Sequence, residues 1–197
     1  MHWMIKCRSK SGTDDLRKAT IPAHRAHLDK YRSETWFSGP IFTDNGVSAI
    51  GSLRFIEFPD RAAAVTYIDA DPYLREGIFE NVDIQRWQPS LEHRQLTYER
   101  QEGTQQFIVH CTDVADSADL RAPLRSAHRE YLNGLGSKVI ARGPLKTDDG
   151  ETTTGSAFLL DVADRAAAEA LMAKEPYTQA GGVYDHITIE RWLFGHV

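Results

Sequence analysis

The sequence predicts an α+β fold, two tandem ferredoxin-like βαββαβ domains packed on each other as a pseudo-dimeric α/β barrel. The 197-residue chain repeats itself at an offset of 104, which sets His24 on His128, Cys7 on Cys111, Asp15-Leu16-Arg17 on Asp119-Leu120-Arg121 and Gly39-Pro40 on Gly143-Pro144. The same offset sets Gly51-Ser52 on Gly155-Ser156, the run DRAAA at 60–64 on 164–168, and Pro72-Tyr73 on Pro176-Tyr177. Two copies of so long a period make a tandem duplication and not a solenoid. Within each copy the pattern reads strand, helix, strand, strand, helix, strand, the ferredoxin-like order. A half of this size is near the limit of independent burial, so its open sheet face calls for a partner, and a second copy supplies one about a pseudo-two-fold.

The elements follow in order. MIKC and FIVHC, rich in β-branched and aromatic residues, read as first strands. A helix follows around each histidine. In the second half Leu120, Leu124, Ala127, Tyr131 and Leu135 mark its apolar stripe, and His128, midway between Leu124 and Leu132, borders that stripe and faces the sheet. WFSGPI and VIARGPL read as short strands ending at Gly-Pro, because proline removes a ladder donor. The turns TDNG and TDDG carry residues suited to positive φ and lead into SLRFIEF and SAFLLDV. Asp60 and Asp164 stand at the N-cap position before Arg-Ala-Ala-Ala, and that second helix ends before Pro72 or Pro176. The expected boundaries are 1–88 and 107–197 for the domains, with the charged stretch 89–106 as linker.

Composition excludes several functions. A formal net charge of -5 argues against a nucleic-acid partner, since no Lys/Arg excess is present to meet phosphates. The amino terminus MHWMIKCRSK has an early charge and no long apolar run, so neither a secretory leader nor a membrane span is expected, and the default location is cytoplasmic. Two cysteines make no disulfide framework and no structural zinc site; buried strand thiols are the expectation.

His24 and His27 lie three apart on one helix face, which suits a metal pair, a base with a bystander, or ordinary packing. In the second copy Tyr131 stands where His27 would repeat. A metal pair common to both copies would not exchange an imidazole for a phenol, so no metal is expected. The retained His24 and His128 either bond a neighbouring backbone group or work with a second side chain. That side chain is offered by ADPY at 70–73 and KEPY at 174–177, where an acid is locked between a helix end and a proline. A carboxylate beside an imidazole fixes its tautomer and raises its basicity, which suits Asp71 to His24 and the longer Glu175 to His128. The plain alternative for Asp71 is a helix-end acid bonded to a local N–H.

These residues resemble the YciI-like (YCII-related) domain family. Its pattern is met by Arg17, Pro22-Ala23-His24, Gly39-Pro40, Gly51-Ser52 and Asp71-Pro72-Tyr73, and again by Arg121, Ala127-His128, Gly143-Pro144, Gly155-Ser156 and Pro176-Tyr177. The resemblance implies a dimeric ferredoxin-like fold whose cleft holds a catalytic His and Asp. It also implies small aromatic or lactone-like substrates handled without an organic cofactor. Arg25 and Arg129 stand where the family usually has leucine, and Glu175 replaces its Asp. The expectation is therefore a lyase, isomerase or dehydrohalogenase with His24, Asp71, His128 and Glu175 as acid/base groups. Arg17, Ser52, Arg121 and Ser156 are the expected anchors for substrate oxygens. The alternative is a non-catalytic small-ligand-binding or accessory domain. The expected partners are a small molecule and the intramolecular second copy, with further homo-oligomerisation left open.

Overall fold

A computed structural model describes all 197 residues, Met1–Val197. The chain forms two compact units: Met1–Trp87 with Arg94–Tyr98 and Trp192–Val197, and Gln88–His93 with Glu99–Arg191.

The first unit contains β1 (His2–Ser9), α1 (Asp14–Asp29), β2 (Thr35–Phe42), β3 (Ala49–Glu57), α2 (Arg61–Asp69), α3 (Pro72–Arg75) and β4 (Phe79–Trp87). β1 is central, antiparallel to β4 and β3, and β3 pairs in turn with β2. Trp3, Ile5, Cys7 and Ile56 pack with Leu28 of α1 and with Ala64, Tyr67 and Ile68 of α2 as the core between sheet and helices. Asp60 caps α2, its side chain accepting from Ala63 N at 2.8 Å. The TDNG turn closes with Gly46 N donating to Thr43 O at 2.8 Å, and Gly46 has φ 72, where a side chain would be strained.

The second unit contains β5 (Gln105–Asp113), α4 (Ala118–Arg121), α5 (Arg125–Gly134), β6 (Val139–Lys146), β7 (Thr153–Val162), α6 (Arg165–Ala173), α7 (Pro176–Ala180) and β8 (Tyr184–Trp192). Its strand order is β8-β5-β7-β6, and Phe107, Val109, Leu132, Leu160 and Leu171 lie in its core. Asp164 repeats the cap, accepting from Ala167 N at 2.8 Å. Cys7 and Cys111 are buried free thiols on β1 and β5.

Two readings of the sequence need correction. The helix expected around His128 is broken into α4 and α5, with Pro123 between them, a residue that cannot donate within a helix. Leu120 and Ala127 are exposed, and on α4 it is Arg121, beside Leu120, that turns inward to Asp113. The strands also do not end at Gly-Pro. β2 and β6 run through it, pairing Pro40 with Ser52 and Pro144 with Ser156. The absent proline donor lies on the side where Leu193 N donates to Pro40 O at 3.1 Å and Gln88 N to Pro144 O at 3.0 Å; there the strand needs only a carbonyl.

Both glycine motifs are close approaches. A Cβ on Gly51 would stand 2.3 Å from Cys7 O, and one on Gly155 2.1 Å from Cys111 O. A Cβ on Gly39 would stand 1.8 Å from Leu193 O, in the tail that belongs to the first unit.

Candidate active sites

In the first unit α1 presents His24, whose Nδ1 lies 2.7 Å from Asp71 Oδ1. Asp71 is fully buried and caps α3, Oδ1 also accepting from Tyr73 N at 2.9 Å. Pro72 at the first helical position suits this turn, since its missing N–H would have had no partner there. Tyr73 stacks on His24, with ring centroids 3.8 Å apart and planes 9° apart, and the Arg17 guanidinium lies 4.7 Å from the Tyr73 ring centroid. The Asp-Pro-Tyr tripeptide thus aims an acid at the imidazole, starts a helical turn and lays a phenol ring against the same imidazole. Arg17 also donates to Ser9 Oγ at 2.7 Å, Gly51 O at 3.2 Å and Ser52 Oγ at 3.2 Å, so the Ser52 hydroxyl helps hold the arginine.

A carboxylate accepts only, so Nδ1 of His24 carries the proton and Nε2 keeps the lone pair. Arg54 meets that lone pair: Nη2 donates to His24 Nε2 at 3.0 Å, and Nη1 lies 3.5 Å from Asp71 Oδ2. Burial and the Arg54 charge outweigh the help of Asp71, and the His24 pKa is lowered to about 4. For Asp71, burial pushes upward, but the His24 hydrogen bond and Arg54 hold the carboxyl below its ordinary range. The resident state is a neutral imidazole between a carboxylate and a guanidinium.

In the second unit α5 presents His128, with Nδ1 2.5 Å from Glu175 Oε1. The extra methylene of Glu175 is absorbed by moving the helix cap one residue on: Oε2 accepts from Thr178 N at 3.1 Å, whereas Asp71 reaches the second residue of its turn. Tyr177 stacks on His128 at 4.1 Å and 19°, and the Arg121 guanidinium lies 4.7 Å from the Tyr177 ring centroid. Arg121 donates to Ser156 Oγ at 3.1 Å, as Arg17 does to Ser52.

The two sites part at two positions. Phe158 on β7 occupies the position of Arg54, so no guanidinium reaches His128 Nε2, which has no partner within the protein. Asp113 occupies the position of Ser9 and binds Arg121 through two contacts of 2.6 Å. Each histidine lines a pocket within its own unit, of about 820 Å³ in the first and about 550 Å³ in the second.

All eight residues expected from the sequence gather in these two places, four in each. Sequence reasoning missed Arg54, Asp113 and the stacked Tyr73 and Tyr177. The tyrosines were visible as a repeated pair, and Arg54 as the one charge inside the apolar run SLRFI where the second copy reads SAFLL. His27 is buried among Tyr31 and Tyr67, with ring centroids at 5.4 and 4.9 Å, and packs in the core. No group of three His, Cys, Asp or Glu that could hold a metal ion is formed.

The sequence profile of the YCII-related domain matches residues 1–88 and 105–193. The chain belongs to the YCII-related domain family. Its YCII-related sequence is 29% identical to Protein YciI of Escherichia coli O6:H1 over 91 residues, 43% of this chain and 92% of that protein. Solved structures with the same fold include a mutant chlorite dismutase from Candidatus Nitrospira defluvii, 7% identical with a TM-score of 0.65 over 98% of this chain and 90% of that one. An anthrone oxidase-like protein is 12% identical with a TM-score of 0.56 over 99% of this chain and 91% of its own. At such identities the likeness concerns fold alone, and it extends across both YCII-related units. No helix is long and apolar enough to cross a membrane.

Proposed function

We propose that the protein is a cofactor-independent lyase, isomerase or dehydrohalogenase acting on small aromatic or lactone-like molecules, with His128 as its acid/base group. The observation that carries this reading is the His128 ring, tied through Nδ1 to the buried Glu175 while Nε2 keeps an unpartnered lone pair at a pocket wall. Nε2 takes a proton from a carbon or hydroxyl of the bound molecule. Glu175 stabilises the imidazolium that forms, and the proton returns to a neighbouring carbon or to the leaving group. Arg121 and Ser156 stand beside the stacked tyrosine as anchors for substrate oxygens.

The first unit supports the other reading, ligand binding without turnover. Arg54 covers the His24 lone pair, and His24 is a weak base with its pKa near 4. Offering aromatic ring-cleavage intermediates and halogenated hydroquinones to the full chain separates the roles. His128→Asn should lower turnover by roughly 10²- to 10⁴-fold, the range expected for a lost general base, and His24→Asn by less than about tenfold. Equal losses in both variants would reject the assignment to His128, and binding of such compounds without any product would reject the enzyme.

A further inference from the structure

We infer that the second-unit pocket takes a small organic dianion, a molecule bearing two carboxylates or one phosphate monoester. Its wall includes Arg125, Arg129, Arg142 and Lys146, and no aspartate or glutamate. None of these four side chains is paired with a carboxylate. Lys146 Nζ donates only to Gly150 O at 2.9 Å, and Arg142 Nη2 only to Asn133 Oδ1. Nε and Nη1 of Arg142 have no acceptor within the protein, so the guanidinium charge is not neutralised there. Arg121 is excluded from the sum because Asp113 binds it through two contacts. Glu175 lies buried behind His128 and offsets one of the four charges, which leaves an excess of positive charge facing the pocket.

The first unit is an internal control for this inference. At the offset of 104, Arg125, Arg142 and Lys146 correspond to Ile21, Ser38 and Phe42, and only Arg129 keeps a cation, Arg25. Three cations therefore belong to one site and not to the shared fold. The four positions come from different elements, α5 and β6, and converge on one hollow large enough for a substituted aromatic ring. The inference names the charge of the substrate in the acid/base reading, and rests on that reading only for the claim that the dianion is also turned over.

Calorimetric titration of the full chain tests it with benzene-1,3-dicarboxylate, phenyl phosphate, benzoate and catechol. At least one of the two dianions should bind ten times tighter than benzoate or more, with affinity falling as salt is raised. Comparison of the two dianions tells carboxylate from phosphate recognition. Arg142→Ser and Lys146→Phe, which install the first unit's own residues, should weaken that dianion at least tenfold while leaving catechol unchanged. Dianions bound no better than catechol, or undiminished binding in both substituted proteins, would overturn the inference. Turnover of neutral phenols with no dianion binding would sink this inference and spare the acid/base reading; dianion binding without turnover of any dianion would do the reverse.

Discussion

At the scale of single residues, the difference between the two histidines comes down to what stands opposite Nε2. Arg54 is almost wholly buried and touches both members of the His24–Asp71 pair, so its removal leaves a buried carboxylate with the imidazole as its sole counter-charge. Arg54→Phe, which reproduces Phe158, should therefore raise the His24 pKa from about 4 toward the ordinary 6.5, and should cost about 3–5 kcal/mol of stability. Imidazole carbon-proton shifts followed against pH check the first effect, and urea unfolding the second; an unmoved His24 titration would show that burial alone holds it neutral. The sign of the wild-type pH dependence follows from the same pair. His24 binds its proton near 6.5 when unfolded and near 4 when folded, so its contribution is whole above pH 6.5 and is lost as pH falls toward 4. Asp71, held below its ordinary 3.8, contributes above that value and loses its share as pH falls through its folded value. The His24 part amounts to about 3 kcal/mol at most, and unfolding midpoints at pH 7.5 and 4.5 should show the loss in the wild type. The gathering of His24 with Asp71 was legible from the repeat. The cap on the histidine was not, because an arginine inside a strand pattern reads as a solvent-facing residue until the strand is found to be buried from Gly51 to Ile56.

At the scale of elements, the repeat located the first three strands of each copy and both capped helices, since hydrophobic period and cap chemistry are local. It failed where a distant contact overrode local preference. Pro40 and Pro144 read as strand ends, yet the strands continue because each carbonyl accepts from an added segment of chain. The same contact gives Gly39 its meaning. Gly39→Ala would drive a methyl group into Leu193 O and the Trp192 ring, with a cost of about 1–3 kcal/mol from overpacking. Hydrogen exchange should then be faster at Leu193 N and Gly195 N, which donate to Pro40 O and Ser38 O, while β7 exchanges as before. Unaltered protection at those two amides would mean that the backbone yields around the methyl group.

At the scale of the whole molecule, composition and charge describe an acidic chain, and they conceal the basic hollow in the second unit because a net charge averages over the surface. The duplication likewise states that two units exist but not which stretch of chain completes each. The first unit takes in Trp192–Val197, whose Gly195 N donates to Ser38 O at 2.8 Å, whose Gly195 O accepts from Gln95 Nε2 at 2.8 Å, and whose His196 Nε2 lies 2.7 Å from Asp29 Oδ1. Leu193, Phe194, Gly195 and His196 also line the first pocket, so this tail is both a structural strap and part of a binding wall. Deleting residues 193–197 should therefore weaken ligand binding and amide protection in the first unit, at β2 and at 94–98. Dianion binding and His128-dependent turnover in the second unit should persist, because its own added segment, Gln88 and Ser90 donating to Pro144 O and Arg142 O, is left in place. Equal loss in both units would show that the tail sustains the entire molecule and not one pocket.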